Sequence, residues 1–223
     1  MIEKTVIRPA EAARLINSGS VVHIGGFLGC GAPDGIVAAI CEAGIGDLTI
    51  VCNDTAIYDP KTGRTTGLAP LILKGLVRKV ITSHIGTNAE TQRLLCEGKI
   101  EVELVPQGTL AERVRAAGFG LGGILTPTGA GTEVEEGKRK FKLHGKTYLL
   151  ELPLPGDVAI IKAKKGDKAG NLIYAKTARN FNPLMAGACA LVIAEVEELV
   201  DIGGLDPDQI HTPSIFVDYL VVV

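Results

Sequence analysis

The sequence predicts an α/β fold: an open parallel or mixed sheet with helices on both faces. Two observations carry this. Short runs rich in Val, Ile and Leu alternate with helix-like segments along the whole chain. Hydrophobic residues make up 46% of the sequence while aromatics make up 4% and Trp is absent, which describes the aliphatic core of a buried parallel sheet. At 223 residues, with no internal repeat and no linker-like stretch, residues 1–223 are expected to form one domain.

The elements follow in order. Residues 9–18 read as a helix with Ala12, Ala13, Leu15 and Ile16 on one side and Gly19 as its stop. Residues 20–24 form the first strand. A helix over 33–43 has Pro33 near its first turn, where a missing N–H is harmless, and Gly44 at its end. Strands are expected over 48–52, 79–83 and 101–105, and helices over 68–74, 88–96 and 110–117. Between them, residues 58–67 read as an exposed excursion and residues 106–109 as a turn. Residues 119–132 are glycine-rich yet contain Phe119, Leu121, Ile124 and Leu125, so a packed irregular loop lining a cleft is expected rather than a solvated linker. The charged residues 133–146 read as a surface hairpin continuing into 146–151. Strands over 158–163, 171–175, 190–196 and 215–223 complete the pattern, with a polar turn over 164–170 and a helix over 184–188.

The chain is organised around residues 21–33, where a short apolar strand runs into Gly25, Gly26, Phe27, Leu28, Gly29, Cys30 and Gly31 before the next helix. A strand, a glycine-rich turn and a helix N-terminus make a ready site for an anion or oxyanion, because glycine lets backbone N–H groups approach a ligand. Four glycines in seven residues exceed what a tight turn needs. Phe27, Cys30 and Asp34 break both registers of a GxGxxG dinucleotide fingerprint, and no Gly-Lys-Ser/Thr follows to make a phosphate loop. Three further polar turns follow strands, at Asn53-Asp54, at 83–88 ending in Asn88, and at Gln107. Ligands of open α/β sheets bind beyond the carboxyl ends of the strands, so these turns are expected to converge on a polar cleft suited to carboxylates and thioesters.

Composition narrows the partners. A net charge of −2 provides no basic surface for nucleic acid. No apolar run reaches about 18 residues, so no membrane span is expected, and no leader pattern follows Met1. The five cysteines, Cys30, Cys41, Cys52, Cys96 and Cys189, are scattered and form no Cys-x-x-Cys, which points to free thiols in a reducing cytoplasm and to no metal site. His23 and His84 read as structural residues rather than bases, as do Glu90 and Glu112 on their helices.

The motif Gly25-Gly26-Phe27, three residues, Gly31, one residue, Pro33 resembles the GGFxxxGxP signature of the family I coenzyme A transferases. Ser83 to Asn88 is similar to that family's Ser-Tyr-x-Gly-x-Asn segment, with His84 in place of Tyr. The run Pro106-Gln107-Gly108-Thr109-Leu110-Ala111-Glu112-Arg113 is nearly identical to its PQGTLAER, Ala178-Arg179-Asn180-Phe181-Asn182 resembles its SARNFN segment, and Val200-Asp201-Ile202-Gly203 its IVDIG. The chain departs from the pattern at Ser18 and His23. The resemblance is strongest to α subunits of two-subunit members acting on short-chain substrates such as acetyl-CoA and acetoacetyl-CoA. It implies the CoA-transferase, isomerase-like α/β fold and transfer of CoA between an acyl-CoA and a free carboxylic acid. It also implies a β-subunit partner in an α2β2 assembly, no permanent cofactor and a CoA thioester as substrate. The family's nucleophilic glutamate lies in a Ser-Glu-Asn-Gly type motif on the β subunit, and no such motif occurs here, so this chain supplies no catalytic nucleophile. The resemblance makes Gln107 a supporting, cleft-lining amide, and residues 25–31, with Asn53 and Asn88, the acyl-CoA contacts. The alternative reading is a non-catalytic acyl-CoA or small-ligand sensing domain on a related isomerase-like fold; a neighbouring β chain carrying the glutamate motif separates the two.

Overall fold

The aliphatic runs come together in one nine-stranded sheet in the computed structural model, which describes residues 2–223. In chain order the elements are β1 (Thr5–Val6), α1 (Pro9–Arg14), β2 (Val21–Ile24), α2 (Asp34–Ala43), β3 (Leu48–Val51), β4 (Tyr58–Asp59), β5 (Arg64–Thr65), α3 (Ala69–Leu73), β6 (Val77–Thr82), α4 (Ala89–Cys96), β7 (Glu101–Leu104) and α5 (Gln107–Gly118). The second half contains β8 (Ile124–Thr126), β9 (Lys140–Leu143), β10 (Lys146–Glu151), β11 (Gly156–Asp167), β12 (Leu172–Ile173), α6 (Asn182–Ala188), β13 (Cys189–Val200) and β14 (Tyr219–Val222).

Eight strands lie in the order β1-β14-β13-β11-β2-β3-β6-β7, every neighbouring pair parallel; β12 adds antiparallel to β11. The period-2 alternation of side chains splits the core between two faces. Val22, Ile24, Ile50, Ile160 and Ile193 pack with α1, α2 and α3, while Val51, Ala159, Ile161 and Ala194 pack with α5 and α6. The strand order turns at β2 and β11: from β2 the chain builds outward through β3, β6 and β7, and from β11 it builds the other way through β13 and β14. Such a switch point opens a crevice at the carboxyl ends of its two strands. The glycine-rich turn leaves β2 there.

Several boundaries differ from the sequence reading, each for a local reason. The first helix stops at Arg14 because Leu15 and Ile16 donate to Ala12 and Ala13, three residues back, tightening the chain out of the α-helix. Residues 106–109 are not a turn. Pro106 is the N-cap of α5, and Leu110 N–H donates to the Pro106 carbonyl at 2.9 Å, so Gln107, Gly108 and Thr109 form the first helical turn. The polar residues 164–167 continue β11 rather than turning, because Lys164 and Lys165 pair across the ladder with Glu197 and Glu198 at 2.7 and 2.9 Å. The stretch 119–132 is less packed and more regular than expected: Phe119 is 72% exposed, Leu121 and Leu125 are also exposed, and residues 124–126 are β8 in a separate three-stranded sheet with β10 and β9; Ile124 and Thr126 do line a cavity with Gly108 and Thr109 of α5. The charged hairpin there is β9–β10, turning at His144 and Gly145, both at positive φ.

Candidate functional site

The turn after β2 is built by long-range contacts. Phe27 and Cys30 exchange backbone hydrogen bonds of 3.1 and 2.8 Å, closing a two-residue turn with Leu28 at φ 49° and Gly29 at φ 90°. Two left-handed central residues define a type I′ turn. Leu28 has a Cβ, so this conformation costs it roughly 1–2 kcal/mol. It is held because the Leu28 N–H donates to both carboxylate oxygens of buried Asp54, at 3.1 and 3.0 Å.

The other side of the turn is gripped by Asn180, just before α6, and by Asn182, its first residue. Asn180 accepts from Gly26 N–H at 3.2 Å and donates to the Cys30 carbonyl at 3.0 Å. Asn182, fully buried, donates to the Gly31 carbonyl at 3.0 Å and accepts from Lys162 N–H at 3.0 Å. These contacts explain the glycines. A Cβ on Gly25 would lie 1.8 Å from Asn182 Oδ1, one on Gly29 2.6 Å from Thr66 Cβ, and one on Gly31 2.9 Å from Ala178 Cα. Internal crowding is thus sufficient reason for glycine at these three positions. Most of the turn's amides are spent inside the protein; among the described residues, those of Gly29 and Gly31 have no protein acceptor. The Cys30 thiol is exposed and sits 3.3 Å from the Thr177 hydroxyl.

Beside the turn, the carboxyl ends of β3, β6 and β7 converge as the strand order requires. The Asn53 carbonyl is pinned by Ser83 N–H at 3.0 Å, the Ser83 hydroxyl at 2.6 Å and the Thr82 hydroxyl at 3.1 Å. Asn53 Nδ2 donates to Asp54 Oδ2 at 2.6 Å, and Asn53 Oδ1 accepts from Gln107 Nε2 at 3.1 Å. Asp54 Oδ1 also accepts from Ala56 N–H at 2.8 Å. A continuous chain therefore runs from the glycine turn through Asp54 and Asn53 to Gln107, which is exposed at the N-terminus of α5. The sequence marks Asp54 by its turn and Asn180 and Asn182 by their motif, but not what they hold, because their partners lie 26 and about 150 positions away.

The remaining candidates are occupied by folding. Asn88 is fully buried, donates to the Thr55 carbonyl at 2.7 Å and caps α4 through Thr91 N–H at 3.1 Å. His84 is exposed and its ring lies over Gly86, where a Cβ would meet it at 2.8 Å. His23 is fully buried on β2, its ring against Gly156 and Cys189 at the starts of β11 and β13, with neither ring nitrogen hydrogen-bonded; burial pushes its pKa down to about 4, opposed only in part by the Pro155 carbonyl and Asp157. Glu112 and Glu90 pair with Arg115 and Arg93, at 2.8 and 2.9 Å, within their own helices. Behind the turn, buried Glu195 accepts from Ile36 N–H at 3.0 Å in the first turn of α2 and faces Lys162 at 3.3 Å. Desolvation raises its pKa against both of these partners. Among the described residues no cluster of His, Cys, Asp and Glu has the geometry of a metal site.

The site so assembled is rich in backbone and amide dipoles; beside it, at the start of α2, Asp34 makes no ion pair among the described residues, and burial raises its pKa. Comparison with known proteins adds the rest. Residues 6–223 match the family model described as Coenzyme A transferase. The chain is 51% identical over 212 residues to acetate CoA-transferase subunit alpha of Escherichia coli, covering 95% of this chain and 94% of that one. It is 44% identical over 216 residues to the acetoacetyl-CoA:acetate/butyrate CoA transferase alpha subunit of Clostridium acetobutylicum, covering 97% and 96%. Among solved structures the fold is similar to an acyl-CoA transferase of Escherichia coli O157:H7, with a TM-score of 0.87 and 22% identity; 99% of this chain spans 47%, about half, of that one. It is also similar to glutaconate coenzyme A-transferase of Acidaminococcus fermentans, with a TM-score of 0.83, 21% identity and coverage of 98% and 75%.

Proposed function

The chain belongs to the coenzyme A transferase family, and from that premise we propose that it is the α-type half of a two-chain enzyme. The enzyme moves CoA between a short-chain acyl-CoA, such as acetyl-CoA or acetoacetyl-CoA, and a free carboxylic acid. A glutamate of a separate β chain attacks the thioester carbonyl, and the CoA thiolate leaves as an acyl-glutamyl anhydride forms. The thiolate then attacks the glutamyl carbonyl, releasing the first acid and leaving glutamyl-CoA. The acceptor carboxylate repeats the two steps in reverse order and departs as the new acyl-CoA. The substrate supplies all the cofactor chemistry, so the chain needs neither a metal nor a resident cofactor. An α2β2 assembly in the cytoplasm fits the subunit names of the relatives and the five free cysteines.

The observation that supports this best is the chain of hydrogen bonds from the glycine turn to Gln107. It sets an uncharged amide at the carboxyl edge of the sheet, beside a turn with two uncommitted amides, at Gly29 and Gly31. Gln107 orients the reacting carboxyl group. Residues 25–31 contribute to acyl-CoA binding, whereas buried Asn53 and Asn88 act there through the groups they hold. A hydrogen bond from this amide to the substrate carboxyl group contributes about 1–3 kcal/mol once bound substrate covers it. Gln107→Ala in the assembled enzyme is therefore expected to lower kcat, and with it kcat/KM, for transfer from acetoacetyl-CoA to acetate by roughly 5- to 150-fold, with only a small fall in melting temperature from the lost bond to Asn53. Normal kinetics with a lowered melting temperature would remove Gln107 from the site.

A further inference from the structure

We propose that Asp54 is the positioning residue that fixes the orientation of Gln107, acting through the Asn53 amide. This rests on the reading of Gln107 as the orienting amide. The argument begins with hydrogen-bond capacity. An ionised carboxylate only accepts, whereas the two ends of a side-chain amide differ in role and exchange places by a half-turn. Asp54 is 5% exposed, and its two oxygens receive Leu28 N–H, Ala56 N–H and Asn53 Nδ2. Facing an acceptor at 2.6 Å, Asn53 can present only its Nδ2. Its Oδ1 is thereby aimed at Gln107 and takes the Nε2 hydrogen at 3.1 Å. Two amides, each with two orientations available, are set by one charge at the end of the row.

The backbone strengthens the assignment. Three donors pin the Asn53 carbonyl, so its main chain does not move to suit its side chain. Asn53 is 2% exposed, which keeps water from competing for its amide. Gln107 is exposed and long, and without the Asn53 bond it would spread over several rotamers. With the bond made, its Oε1 and second Nε2 hydrogen keep a constant direction at the start of α5. The same carboxylate holds Leu28 in its left-handed conformation, so one group sets both the turn and the amide in a common frame.

The test is a double-mutant cycle on the assembled two-chain enzyme, read as kcat for CoA transfer from acetoacetyl-CoA to acetate. Asp54→Asn is isosteric but places a donor where only acceptors fit. Alone it is expected to lower kcat by at least about 10-fold; in a Gln107→Ala background it is expected to lower kcat by less than about 2-fold further. Effects of the loosened turn on substrate binding fall in KM and do not enter this comparison. Where Asp54→Asn fails to assemble, Asn53→Ala cuts the row while leaving the bonds of Asp54 to Leu28 and Ala56, and the same pattern is expected. Equal losses of kcat in both backgrounds would overturn the positioning role and leave the reading of Gln107 intact. An unchanged kcat for Gln107→Ala alone would remove that reading and the positioning role together.

Discussion

His23 shows what a single buried group does to the whole molecule. Its ring has no hydrogen-bond partner and takes the space a Cβ on Gly156 would need, 2.6 Å from Cδ2. Burial lowers its pKa to about 4, against an ordinary value near 6.5. The unfolded chain therefore binds a proton below about pH 6.5 that the folded chain refuses. The stability that the neutral ring contributes is complete above about pH 6.5 and is lost as the pH falls toward 4, to a total of about 3 kcal/mol. Denaturant unfolding at pH 7 and pH 4.5 checks this: His23→Leu is expected to remove about 2–3 kcal/mol of the pH dependence. An unchanged pH slope would mean that His23 is solvated. Asn88 offers the complementary case. Its cap and its bond to the Thr55 carbonyl are structural, so Asn88→Ala is expected to lower stability by about 1–2 kcal/mol. Calorimetry combined with kcat measures both quantities, and a lowered kcat at unchanged stability would return Asn88 to the ligand site.

At the scale of elements, the glycine turn is a packed joint between β2, α2 and the segment entering α6. Gly25→Ala is expected to destabilise the protein by about 3 kcal/mol, at the upper end of overpacking costs, because the new methyl would displace Asn182 from its bonds to Gly31 and Lys162. In an Asn182→Ala background the same substitution is expected to cost under about 1 kcal/mol, the two sites being in direct contact. Additive losses in urea unfolding would show that Gly25 is required for another reason. Much of this architecture is legible in the sequence. Buried parallel strands appear as aliphatic runs, and Gly44 marks the end of α2 through its left-handed φ of 67°. Residues 106–109 read as a turn because Pro and Gly are turn residues, yet both also fit the start of a helix, and the surrounding fold decides. The lysines and glutamates of β11 and β13 look like loop residues until the ladder pairs them. The position of the site is legible from its turns. Its internal order is not, because the partners of Leu28, Gly26 and Gly31 are far along the chain.

For the whole molecule, the strand order places the glycine turn at the switch point between β2 and β11 and sets Asn53, Asp54 and Gln107 beside it. Three carboxylates near this edge are spent on structure: Asp54 on the turn, Glu195 on the start of α2, Glu112 on Arg115. The chain carries no Ser-Glu-Asn-Gly type motif, and on the proposed reading it orients substrates for a glutamate supplied by the β chain. The most direct test is CoA transfer from acetoacetyl-CoA to acetate, measured with the purified chain alone and again after mixing with a β chain carrying the Ser-Glu-Asn-Gly type motif. The expected result is no transfer by the chain alone and turnover on mixing, lost again when the motif's glutamate is replaced by alanine. Transfer by the chain alone at the rate of the mixture would contradict the account.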